Sequence, residues 1–122
     1  MNKKILIITA LLGGLAVALG AFGAHGLKDI LGDQIKNWET AVKYQIFHVL
    51  AIFVVQNLSL LSDKFKTAVG ILFVVGILFF SGSLYTISIG LIAAKYIWFV
   101  TPLGGLSFIA GWLVLTVGLI KK

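Results

Sequence analysis

Thr67–Ala94, TAVGILFVVGILFFSGSLYTISIGLIAA, runs for 28 residues without a formal charge. A barrel strand would alternate polar and apolar side chains, but Leu, Ile, Val, Phe and Ala are mixed continuously here. In lipid, such a segment must satisfy its own backbone as a helix. As a helix it would rise about 42 Å against about 30 Å of hydrocarbon, so it crosses with a tilt or ends near Gly90.

Working outward, 23 charge-free residues separate Lys4 from Lys28, 19 separate Lys43 from Asp63 and 25 separate Lys95 from Lys121. Each run can cross a core that needs about 20 residues. The composition agrees: 60% of residues are hydrophobic and 11% charged, with a mean hydropathy of +1.09, where soluble domains carry roughly 25% charged residues. The expected fold is an all-α integral membrane four-helix bundle forming a single domain over residues 1–122. Its spans lie at about 5–24, 42–61, 67–90 and 100–120.

An even number of spans places both termini on one side, with Lys3, Lys4, Lys64, Lys66, Lys121 and Lys122. Lys28, Lys36, Lys43 and Lys95 lie on the other side with Asp29, Asp33 and Glu39. Six lysines against four make the terminal side cytoplasmic. The net charge of +6 comes from lysines at span ends, where they meet lipid headgroups, so membrane lipids are the expected partners and nucleic acid is not. Cysteine is absent, which removes disulfides and thiolate chemistry.

MNKK followed by an apolar run and small residues mimics a secretory signal peptide. The segment is expected to be retained as the first span, and Gly13, Ala16, Gly20 and Gly23 fall on one helical face, where another helix is expected to pack closely. The connection at about 26–41 spaces Leu27, Ile30, Leu31, Ile35, Trp38 and Val42 at near-helical intervals between charges. It is expected to lie amphipathically on the outer surface. In the fourth span Thr101-Pro102 reads as a cap and first turn. Gly104, Gly111 and Gly118 repeat every seven residues as a packing seam.

Polar residues in the spans mark the candidate site. Tyr44, Gln45, His48 and Gln56 share about a third of the circumference of span two. On span three, Ser81, Tyr85 and Ser88 form a face able to answer them by interhelical hydrogen bonds.

Four motifs carry a family resemblance: GAFGAHGL in span one, AxxYQxFHxLAI (Ala41–Ile52) in span two, FSGSLY (Phe80–Tyr85) in span three and FVTPLGGLSFIAGW (Phe99–Trp112) in span four. Together and in order they resemble the domain-of-unknown-function 423 family, whose relatives include proteins called transmembrane protein 256. The resemblance implies a small four-span membrane protein and no particular activity.

All four motifs fall in the extracytoplasmic half, where His25, Tyr44, Gln45, His48, Ser81, Ser83, Tyr85 and Thr101 are expected to converge as a polar cluster. Two histidines without cysteine and with one nearby carboxylate make a poor ligand set, so neither metal nor cofactor is expected. No elbow spacing or orienting acid turns Ser81 or Ser83 with His48 into a nucleophile and base, so no enzyme is expected. The expected function is an oligomeric scaffold or a partner- or lipid-binding subunit in a bacterial plasma membrane. The alternative is an oligomeric channel or transporter for a small solute or protons that uses His48.

Overall fold

A computed structural model describes residues 2–121, Lys28 by its backbone alone. Lys122 and the Lys28 side chain, both counted in the charge asymmetry, lie outside that description. Among the described residues, four helical spans are long and apolar enough to cross a membrane: Lys3–Gly26, Asp29–Gln56, Asp63–Ser88 and Val100–Ile120. The chain belongs to the all-α class predicted from its charge gaps.

Span one is α1 (Lys3–Ala21), capped by Asn2 Oδ1, which accepts from the Ile5 N–H at 3.2 Å. It continues through a π-helical turn, Phe22–Gly26, which closes with a bond from Leu27 N to Phe22 O at 2.7 Å. The GAFGAHG stretch is therefore a widened helix end.

The connection is shorter than expected. α2 (Lys28–Leu31) and a 3-10 turn (Gly32–Gln34) fill it, with Gly32 at φ +51°, a backbone region that glycine enters without strain. α3 then runs unbroken over Ile35–Gln56. Residues 35–41, expected on the membrane surface, are its first turns, because Trp38 and Ala41 are buried against neighbouring helices. α3 also stops before the expected limit near 61. Asn57 Nδ2 donates to Phe53 O at 2.7 Å at the turn, and Leu61 folds back into the core.

Span three has three parts: α4 (Asp63–Gly76), a π turn (Ile77–Ser81) and α5 (Gly82–Ser88). Gly90 follows at φ +76°, which ends the span where its excess length requires. A short α6 (Ala94–Ile97) leads into α7 (Val100–Ile120). Tyr96, Trp98 and Phe99 are exposed along this connection, and Lys95 Nζ lies 5.1 Å from the Tyr96 ring centroid, a cation–π distance. Thr101 is not the cap of α7; Phe99 occupies that position. Pro102 falls within the first turn, where its missing N–H leaves no helical bond unmade.

Glycines set the helix spacing. A Cβ at Gly13 or Gly20 would meet Val49 at 3.2 Å or Val42 at 3.4 Å, and one at Gly23 would collide with Trp38, so this stripe faces α3 in antiparallel register. On α7, Gly111 faces Phe73, Gly118 faces Leu61 and Phe65, and Gly104 lies against the backbone of Phe80 in the π turn. Each seven-residue step along α7 thus admits an aromatic ring or a backbone turn of span three. Without a hydrophobic driving force inside lipid, such close packing holds helices together.

Candidate functional site

A polar side chain within a bilayer must find a protein partner, and Gln45 finds two. It is 1% exposed; Nε2 donates to Leu12 O at 2.7 Å, and Oε1 accepts from the Tyr85 hydroxyl at 2.6 Å. One amide therefore joins spans one, two and three. Two turns earlier on α3, the Trp38 indole N–H donates to Leu19 O at 2.8 Å, and its ring meets the Tyr85 ring edge-on at 4.8 Å.

The serines join the remaining helices. Ser81 Oγ donates to Ala41 O at 2.7 Å, Ser107 Oγ donates to Leu72 O at 2.6 Å, and Ser83 Oγ donates to Phe80 O at 2.9 Å. With its proton on Phe80, Ser83 accepts from the Thr101 hydroxyl. A carbonyl already in a helical bond keeps a second lone pair, which makes mid-helix acceptors available.

His48 lies in an adjoining aromatic box. Its ring stacks on Phe108 with centroids 3.7 Å apart and meets Phe73 edge-on at 5.0 Å. The Trp112 indole N–H can only donate, so Nε2 of His48 accepts from it at 3.1 Å. Nδ1 then carries the proton and donates to Tyr44 O at 2.8 Å. One neutral tautomer satisfies both partners and leaves neither nitrogen for a metal or a serine.

The eight predicted residues therefore separate. Gln45, Ser81, Ser83, Tyr85 and Thr101 form the joint of the loop-side half, and His48 sits beside it in the aromatic box. Tyr44 is 39% exposed, its ring packed 4.8 Å from Phe80 at the outer surface. His25 is exposed on the π turn of span one and forms no hydrogen bond with the others among the described residues. Ser88, expected on the answering face, is buried with its Oγ unpartnered. No group of three His, Cys, Asp or Glu side chains able to hold a metal occurs among the described residues. What the arrangement does is join helices by hydrogen bonds.

Three participants escaped the sequence reading as donors, Trp38, Ser107 and Trp112. The signal for the tryptophans was present: an indole N–H drawn inside a helix bundle needs an acceptor on another helix or on its own backbone.

Residues 19–105, most of the chain and nearly all of this joint, match the family described as "Protein of unknown function (DUF423)". This chain belongs to that family. A UPF0382 membrane protein of Haemophilus influenzae is 41% identical over 100% of this chain and 98% of its own length. The UPF0382 membrane protein YwdK of Bacillus subtilis is also 41% identical, over 98% of each chain. The UPF0382 inner membrane protein YgdD of Escherichia coli is 40% identical over 98% of this chain and 92% of its own. No solved structure matches significantly. Family membership and the four spans together make this a multi-pass membrane protein.

Proposed function

We propose that the protein is a non-catalytic helical scaffold of a bacterial plasma membrane, with both termini cytoplasmic, that assembles as a homo-oligomer and serves partners or lipids. The observation that carries this reading is the closure of the loop-side joint. The polar groups of Gln45, Ser81, Ser83, Tyr85, Thr101 and His48 are paired with one another, with Trp112 or with backbone carbonyls. The joint thus holds helices and presents no reactive pair.

The outward faces support assembly. Gly14 is exposed, and a Cβ added there would meet nothing within 4 Å. Ala10 lies one turn before it and is also exposed, giving the small-xxx-small spacing that lets membrane helices approach closely. The channel or proton-relay alternative has weaker support, because both His48 nitrogens are occupied and aromatic rings close around it.

The test is native mass spectrometry of the detergent-solubilised protein and of Gly14→Leu. A defined oligomer that falls to a folded monomer in the variant is expected. A wild-type protein that is monomeric at all concentrations would overturn the homo-oligomer.

A further inference from the structure

The terminal side of the bundle holds a cavity of about 430 Å³ between the start of α1, the end of α3 and the start of α4. Lys3, Lys4 and Lys66 line it, with Asp63 as the one carboxylate among the described residues. Two helices also begin here, so the positive ends of their backbone dipoles add to the lysines. Those features alone describe a basic helix end. Gln56 adds something different.

Gln56 is 0% exposed and lines the same cavity. Its Nε2 donates to Lys66 O at 2.8 Å, yet its Oε1 has no partner. A buried amide oxygen left unpaired costs free energy, and such an atom calls for an unseen donor. The cavity thus combines three ammonium groups suited to a phosphate with the Asp63 carboxylate, suited to an ammonium or hydroxyl group, and has in its wall the Gln56 amide whose oxygen lacks a partner.

We propose that this cavity holds the headgroup of a phosphodiester lipid whose alcohol carries a hydrogen-bond donor, either ethanolamine or glycerol. The phosphate meets the lysines, and the donor meets Asp63 and Gln56. A lipid is favoured over a soluble phosphodiester by what lies beneath. Ile8, Leu11 and Leu15 follow Lys4 at helical spacing and are 45%, 71% and 49% exposed. They form an apolar track for an acyl chain directly under the cation. Basic cavities between span ends are a known form of headgroup recognition. The site shares no residue with the loop-side joint.

The test is lipid retention by the full-length protein in native mass spectrometry, using phosphatidylethanolamine, phosphatidylglycerol and phosphatidylcholine with identical acyl chains. Choline carries the phosphate but no donor, so retention about tenfold weaker than for the other two is expected. Lys4→Gln with Lys66→Gln should weaken retention of phosphatidylglycerol by roughly 30-fold, the effect of removing two lysines near an anionic headgroup, and weaken retention of the two zwitterionic lipids less. Gln56→Leu should reduce the preference over phosphatidylcholine, with Asp63 retaining part of it, while the protein stays folded. Equal retention of the three lipids by the wild type, or unchanged retention in the double variant, would overturn the site. Glycerophosphoethanolamine, which lacks tails, should compete only in large excess; competition at equal concentration would overturn a lipid occupant in favour of a soluble one.

Discussion

At the loop end of the bundle, Gln45 uses both of its amide atoms within the protein, one on Leu12 O and one on the Tyr85 hydroxyl. At the terminal end, Gln56 is just as buried but uses only one, on Lys66 O, beside a lysine-rich cavity. The same residue type on the same helix, eleven positions apart, thus has two roles. Where three helices converge tightly, an amide can be fully satisfied by protein. Beside the terminal cavity, one amide atom is left without a protein partner.

Substitutions can break or sharpen this contrast. The largest effect is expected at Gly104, because a Cβ there would strike the Phe80 backbone, which cannot rotate away. Gly104→Ala should destabilise by about 3 kcal/mol or more, as overpacking against a fixed partner does. At the terminal end, a Cβ at Gly118 meets side-chain atoms of Leu61 and Phe65 at 2.8 Å. Those can shift, so Gly118→Ala should cost about 1 kcal/mol. Unfolding of both variants in detergent micelles checks the ranking, and equal losses would remove the distinction between the ends.

Gln45→Leu should follow at about 2 kcal/mol, since two interhelical bonds are lost and the Tyr85 hydroxyl is left unpaired. Tyr85→Phe in the same background should recover part of that loss, a double-mutant cycle that measures the coupling directly. Trp112→Phe keeps a ring against His48 but removes its donor. A cost of about 0.6 to 1.7 kcal/mol is expected, the range for single hydrogen bonds within membrane bundles. The smallest effect is expected for Gln56→Leu in lipid-free detergent, within about 0.5 kcal/mol of wild type. Removing the orphan oxygen there offsets the lost bond to Lys66. A loss as large as that of Gln45→Leu would show that the two amides are equivalent after all.

The spans were legible because bilayer thickness sets the length of an uncharged helix, and gaps between lysines measure that length directly. The glycine seams were legible for a similar reason: the absence of a Cβ is a property of one residue, and spacing alone assigns it to a face. The start of α3 at Ile35 was hidden because Trp38 is drawn down by Gly23 and Leu19, a tertiary contact that hydropathy does not encode. The two π turns were hidden because one extra residue in a uniformly apolar run leaves no compositional mark. Their consequence is rotational. Gln45 and Tyr85 lie on the answering faces that their spacing suggests and bond to each other, whereas the turn of His48 to Trp112 on span four has no counterpart in the spacing.

Five of the interhelical joints, those to Leu12, Leu19, Ala41, Lys66 and Leu72, end on a backbone carbonyl. In evolutionary terms, such a joint constrains one position where a side-chain pair would constrain two. Every amino acid supplies the accepting oxygen, so the receiving helix can drift in sequence, within the limits of size, without a compensating change on the donor. A bundle assembled this way can renew much of its surface while keeping its helices in register.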